Sequence, residues 1–294
     1  MSALPSFFKD IKLTHSLFAL PFAVSIFTFF NISNVRRFDW VFFVAILVCI
    51  ISARTFAMGL NRYLDSDIDA ENERTKLRAI PGGLIAKKSV LQISLTAGLI
   101  FVAASFLIRP LCGFLSIGVL LVLGSYPLMK KMSILTHYYL GFCLALAPLG
   151  VAVSVSNDLG FSASIYLVSA AVMLWTGGFD IIYSLQDIAF DRANKLYSIP
   201  VRFGVKTALY ISQVSFLSMV LCLIGAGYLA HKSWIYYVGV AMVATILTAE
   251  HVLIRDAVLN DGRSKHIDVA FFNLNAFSSV FFFVFCAIDL QQTF

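Results

Sequence analysis

Charge is the first thing this chain is short of. Asp, Glu, Lys and Arg make up 13% of its 294 residues, about half the roughly 25% usual in a soluble domain. With 60% hydrophobic residues and a mean hydropathy of +0.87, there is too little polar surface for a water-soluble globule. Low-complexity tracts and Pro/Gly/Ser linkers are also absent, which argues against separate domains and for one helical bundle over residues 1–294. Cysteine is sparse and odd in number. Cys49, Cys112, Cys143, Cys222 and Cys286 each lie in an apolar run and none forms CxxC, which excludes a disulfide framework and a cysteine metal knuckle. The opening MSALPSFFKDIKLTH has neither a signal-peptide pattern with a small-residue cleavage site nor the Arg- and Ser-rich character of a transit peptide. The first apolar run is therefore expected to remain as a membrane helix.

What the chain has in abundance is long apolar runs. A spanning helix needs about 20 apolar residues. Nine runs qualify, at roughly 16–32, 40–60, 89–108, 111–129, 136–155, 162–182, 207–230, 234–254 and 267–288. They predict an all-α, polytopic membrane bundle of nine transmembrane helices. The connections are short except for two, residues 61–88 and 183–206. Both come after an apolar helix, open with spaced aspartates and end near a Pro and a Gly (AIPGGLI and SIPVRFG), as a duplicated helical unit would.

The net charge of +6 invites a nucleic-acid reading, but its distribution points to topology. With the N-terminus cytoplasmic, 17 Lys and Arg fall on inside segments and four (Arg36, Arg37, Arg109 and Lys232) outside, with Arg54 inside a helix. That asymmetry obeys the positive-inside rule. It places the protein in the inner (cytoplasmic) membrane with both aspartate-rich loops on the cytoplasmic side, and it calls for no nucleic-acid partner.

The first of those loops begins NRYLDSDID, read as Asn61-x3-Asp65-x3-Asp69. The second begins DIIYSLQDIAFD, read as Asp180-x2-Tyr183-x3-Asp187-x3-Asp191. A step of four stacks side chains on one helix face. One such motif is equally well a solvated acidic helix end. Two with matched spacing, on the same side of the membrane, are a poor match for chance. Carboxylates this dense repel one another unless a cation offsets them. Mg²⁺ takes oxygen ligands and commonly bridges carboxylates to substrate phosphates, so the aspartates would hold Mg²⁺ and Mg²⁺ would hold a diphosphate. Asp67 lies off this face and reads as a solvated neighbour.

A diphosphate site also needs cations. Arg54, charged within a membrane helix, would pair with Asp65 or reach the phosphates. Lys130 in YPLMKK, four residues after Tyr126, is a phosphate ligand or a topology anchor. Arg74 in ENERT would close over the site or is an ordinary loop residue. Lys12 is a topology signal or a contact for an aromatic carboxylate or the phosphates. Asn273 and Asn275 in FFNLNAF are expected to form interhelical hydrogen bonds.

These motifs resemble those of the UbiA superfamily of intramembrane prenyltransferases, 4-hydroxybenzoate polyprenyltransferase-like and of a bacterial branch. The shared stretches are NRYLDSDID, DIIYSLQDIAFD, HSLFALPFA, NERT…RAIPGG and KLYSIPVRFG, and the likeness runs from about residue 12 to 280. It implies nine transmembrane helices and a Mg²⁺ cofactor held by Asn61, Asp65, Asp69, Asp187 and Asp191. It implies Asp180, Tyr183 and Asp191 as catalytic residues, with Asp180 and Tyr183 stabilising an allylic cation or orienting a phenol. Arg54, Lys130 and Arg74 would bind the diphosphate, and Tyr126, Tyr183 and Lys12 the acceptor. The substrates implied are a long-chain polyprenyl diphosphate, its tail running out to membrane lipid, and an aromatic acid, 4-hydroxybenzoate first, for quinone biosynthesis. His15 and His137 are placed as in a branch that prenylates a dihydroxynaphthoate, which is the alternative acceptor. A cation transporter is the alternative from another class, but the acids cluster at helix ends on one face and not across the midplane.

Overall fold

In hydrocarbon a backbone must satisfy its own polar groups, so apolar runs of this length fold as helices. The structure, a computed structural model, describes residues 3–11, 16–30, 40–156, 159–256 and 267–292. Among the described residues every regular element is helical and no strand occurs. In chain order these are α1 (Ala3–Asp10), α2 (Ser16–Ser25) with a 3₁₀ turn at Ile26–Phe29, α3 (Trp40–Glu71), α4 (Lys87–Ile108), α5 (Pro110–Met129), α6 (Thr136–Val155), α7 (Ala163–Tyr183) with a 3₁₀ turn at Ser184–Asp187, α8 (Ile188–Ala193), α9 (Ile199–Leu229), α10 (Trp234–Asp256) and α11 (Ile267–Gln292). Seven helical stretches among the described residues are long and apolar enough to cross a membrane, and Leu20–Phe29 and Phe277–Leu290 are shorter apolar ones. The chain is an integral, multi-pass membrane protein.

The two long connections are more helical than hydropathy suggests. Hydropathy predicts a loop over residues 61–88, yet α3 runs on to Glu71. NRYLDSDIDAE contains no Gly or Pro to stop it, and loss of hydropathy does not end a helix. At 32 residues α3 is about 48 Å long, against a hydrocarbon core of about 30 Å. Its last turns therefore project beyond the apolar layer. The helix stops at Asn72, whose carbonyl accepts from the Thr75 and Lys76 N–H groups while its side-chain oxygen accepts from the Arg74 N–H at 2.9 Å, an Asx turn.

In the second connection, 183–206, α8 and the start of α9 leave only residues 194–198 without helix. Ser198 caps α9, accepting from the Val201 N–H at 3.3 Å, and Pro200 lies in the first turn. Gly204 then breaks the helical path at φ 81°, ψ 169°, a region open essentially to glycine alone.

The chain divides into two compact units. One comprises Met1–Ser16 with Arg37–Met129, the other Leu17–Arg36 with Lys130–Phe294. In the first, Phe7 of α1 and Ile11 just after it pack with Ala79, Ile85 and Val90, seating α1 against the turn after α3. In the second, Trp175 is fully buried with Phe22 edge-on at 4.7 Å and Phe282 beyond it. The Trp175 indole N–H donates to Asn275 Oδ1 at 2.6 Å, and the Asn275 amide donates to Glu250 at 2.9 Å. A buried carboxylate is costly without donors, so this chain of bonds fixes how α7, α10 and α11 meet. Asn275 thus makes the interhelical bonds expected of it; the Asn273 side chain lies outside the described residues.

Candidate active site

In the first unit the acidic motif lies on the projecting end of α3. Asp65 and Asp69 are 3% and 5% exposed, whereas the Asp67 side chain is 87% exposed and faces Lys87 at 3.3 Å. The four-residue step therefore does what helix geometry dictates: it buries one acidic face and leaves the off-face acid in solvent. Asn61 donates its amide to Asp65 Oδ2 at 3.0 Å. Arg62 in turn donates to Asn61 Oδ1 at 2.8 Å and lies 3.5 Å from Asp10 of α1. Arg78, from the turn after α3, donates to both oxygens of Asp69 at 2.7 Å. Asp10 also accepts from the Ala79 N–H at 3.2 Å, and Thr75 donates its hydroxyl to the Asp69 carbonyl at 3.0 Å. The turn is thereby tied to the motif at several points.

These contacts account for how three acids are tolerated in so small a space. Asp10, Asp65 and Asp69 lie around Arg62 and Arg78. The guanidinium groups remove most of the repulsion among the carboxylates.

In the second unit the motif sits on a broken helix. Asp180 and Tyr183 occupy the last turn of α7, Asp187 ends the 3₁₀ turn and Asp191 lies in α8. The four-residue step of the sequence therefore runs through a helix end, a 3₁₀ turn and a short helix. The Ser184 hydroxyl donates back to the Ile181 carbonyl at 2.8 Å. Such local bonding competes with the α-helical pattern, and a tighter turn rotates the residues beyond it. Asp187 and Asp191 are half-buried. The Asp191 carbonyl accepts from the Leu196 N–H at 2.8 Å, and the Tyr197 N–H donates to the Lys130 carbonyl at 2.7 Å.

Asp180 faces His137 of α6, Nδ1 to Oδ2, at 2.7 Å. Helices α6 and α7 approach closely at this point. A Cβ on Gly141 would collide with the Met173 carbonyl oxygen, and one on Gly177 would strike the Tyr138 ring. The two glycines thus permit the close packing of α6 on α7 beside this pair.

The structure thus brings Asn61 to Asp65, and sets Asp69 on Arg78 and Asp180 on His137. Arg54 is half-buried on α3, seven residues or about two turns before Asn61. Arg74 is exposed, Tyr126 and Lys130 are half-buried, and Lys12 and His15 lie outside the described residues. Asp10, Arg62 and Arg78 escaped sequence reasoning. The last two entered it only as topology charges, and NERTKLRAIPGG gives no sign of which of its bases meets Asp69. Among the described residues no group of three or more His, Cys, Asp or Glu is gathered tightly enough to hold a metal ion. Asp65 and Asp69 offer carboxylate oxygens, and Asn61 offers an amide oxygen that here accepts from Arg62 while its amide nitrogen donates to Asp65. That chemistry fits a hard divalent cation such as Mg²⁺.

Residues 19–276 match the family described as the UbiA prenyltransferase family. Curated relatives named 4-hydroxybenzoate octaprenyltransferase include one from Aliivibrio fischeri (strain MJ11), 28% identical over 264 residues, which is 87% of this chain and 86% of that protein. A second, from A. fischeri (strain ATCC 700601 / ES114), is 30% identical over 74% of this chain and 75% of its own length. Among solved structures, a UbiA homolog from Aeropyrum pernix K1 in its apo form superposes with a TM-score of 0.81 at 29% identity, covering 94% of this chain and 98% of that one. A UbiA homolog from Archaeoglobus fulgidus bound to DMAPP and Mg²⁺ shares the fold, with a TM-score of 0.66 at 17% identity and coverage of 96% and 99%.

Proposed function

Because the chain belongs to the UbiA prenyltransferase family, we propose that it transfers a polyprenyl group from an allylic diphosphate to 4-hydroxybenzoate, in the presence of Mg²⁺, for respiratory quinone synthesis. The prenyltransferase activity follows from the family and the curated relatives; the acceptor is supported by the names those relatives carry. The observation that carries the metal assignment is the buried face of Asp65 and Asp69 at the projecting end of α3, with Asn61 hydrogen-bonded to it.

In this reading Asn61, Asp65 and Asp69 of the first motif would hold Mg²⁺, as would Asp187 and Asp191 of the second. When bound, Mg²⁺ supplies positive charge against the negative charge that gathers on departing pyrophosphate. Arg54, Lys130 and Arg74 bind the diphosphate. The bond between the allylic carbon and the diphosphate oxygen breaks, and the electron pair leaves on pyrophosphate. A ring carbon of the acceptor forms the new carbon–carbon bond and gives up its proton. Asp180 and Tyr183, on the last turn of α7, stabilise the allylic cation or orient the phenol, with Tyr126 and Lys12 as further acceptor contacts. The isoprenoid tail runs along apolar helix surface into lipid. Both motifs face the cytoplasm of the inner membrane, the orientation supported by the 17-to-4 split of basic residues.

The test uses membranes containing the protein, Mg²⁺ and a radiolabelled polyprenyl diphosphate, with 4-hydroxybenzoate and a dihydroxynaphthoate offered in parallel. Mg²⁺-dependent lipid-soluble product with 4-hydroxybenzoate is the expected result. Product with the naphthoate alone moves the protein to the alternative acceptor, and no product with either ring sinks both.

A further inference from the structure

We propose that His137 is the positioning residue for Asp180, fixing the carboxylate in one orientation through a tautomer set by the start of α9. The inference rests on the prenyl-transfer reading and extends it to a side chain outside both acidic motifs.

The two ring nitrogens have different partners. The Ile199 N–H, in the first turn of α9, donates to His137 Nε2 at 3.3 Å. That N–H is one of the donors a helix start leaves without an intrahelical acceptor. A nitrogen that accepts a hydrogen bond carries a lone pair, so the proton of the neutral ring is on Nδ1. Nδ1 is the atom 2.7 Å from Asp180 Oδ2. The imidazole therefore donates to the carboxylate and leaves it an acceptor.

Burial makes this arrangement selective. His137 is 2% exposed, and the Asp180 side chain is 20% exposed. The ring is sealed among α6, α7 and the start of α9, while the carboxylate keeps an open side. Ser198, one residue before Ile199, caps α9, so the N–H that fixes the ring is itself held in place. The stretch leading to that cap is also tied down, by the bonds from Leu196 to Asp191 and from Tyr197 to Lys130. One histidine thus couples the last turn of α7 to the segment that carries Asp187 and Asp191. Outer partners that hold a functional group in register are worth about 10–100-fold when removed, and a displacement of about 1 Å has a similar effect on a reacting geometry.

The experiment compares full-length wild type, His137→Ala, His137→Gln, Asp180→Asn and the double variant His137→Ala/Asp180→Asn, reconstituted in lipid with Mg²⁺, labelled polyprenyl diphosphate and 4-hydroxybenzoate. Positioning predicts that His137→Ala lowers kcat about 10–100-fold while KM for the diphosphate stays within about twofold. Gln can donate and accept from one side chain, so His137→Gln recovers most of the loss. The double variant is no slower than Asp180→Asn alone, as expected for two groups acting as one unit. A second readout is the ¹⁵N spectrum of histidine-labelled protein, where the resonance lost in His137→Gln shows a protonated Nδ1 and a bare Nε2, and shifts in Asp180→Asn. If His137→Ala fails to fold, His137→Gln and the spectrum still decide. An unchanged kcat in His137→Ala, additive losses in the double variant, or a proton on Nε2 overturns the positioning role alone. A wild type with no Mg²⁺-dependent product overturns the prenyl-transfer reading, and this inference with it.

Discussion

The two acidic motifs share a four-residue step but solve different physical problems. In the first, on an unbroken helix, two carboxylates are buried and guanidinium groups sit among them. In the second, the acids are spread over a helix end, a 3₁₀ turn and a short helix, and Asp180 is met by an imidazole. Arginine keeps its charge under all ordinary conditions, so it offsets a carboxylate permanently. A neutral histidine orients a carboxylate without offsetting it. The first motif thus has arginines among its carboxylates, and Asp180 of the second has a histidine.

The sharpest way to break this contrast is to neutralise one acid in each motif. Asp65→Asn is expected to lower turnover about 10³-fold or more with the fold intact, since it removes charge from the centre of the proposed metal face; near-normal turnover with folded protein would end the metal assignment. Next in size is Arg78→Ala. It strands a nearly buried Asp69 and is expected to cost about 1.5–3 kcal/mol, read as a lower thermal midpoint, and to slow turnover as well. A midpoint equal to wild type would mean that the pair holds nothing in place.

Gly141→Ala tests the second motif from its packing side. The added methyl collides with the Met173 carbonyl, so separation of α6 from α7 is expected at about 1–3 kcal/mol, with a loss of kcat resembling that of His137→Ala. Loss of stability without any loss of kcat would uncouple that approach from Asp180. The smallest effect is expected from Asp67→Asn, which removes an exposed pair with Lys87. It should shift stability by less than about 1 kcal/mol and leave turnover unchanged; a large drop would make Asp67 part of the site.

Which of these features can be read from residues alone depends on distance along the chain. The apolar runs mark the helices because hydropathy is local, and the shared face of Asn61, Asp65 and Asp69 follows from helix periodicity. The role of Asp67 as an outsider follows from the same periodicity. The partners do not. Asp10 meets Arg62 from 52 residues away, and His137 meets Asp180 from 43. No local pattern encodes such pairs. The break after Tyr183 is hidden for another reason: Ser184 is as compatible with a helix as with the turn it makes, and its hydroxyl bond to Ile181 becomes visible only in three dimensions.

The pairing of Phe22 with Trp175 bears on how the chain assembles as it is made. Residues 17–36 belong to the unit completed by residues 130–294, while the intervening stretch 37–129 forms the other unit. At about 5–20 residues per second, the roughly 150 residues between the two rings take about 8–30 s to synthesise. Through that interval α2 waits in the bilayer for partners not yet made, while the α3–α5 helices emerge and can pack around their own core. The first acidic motif is thus available to fold early, and α2 closes the second unit late.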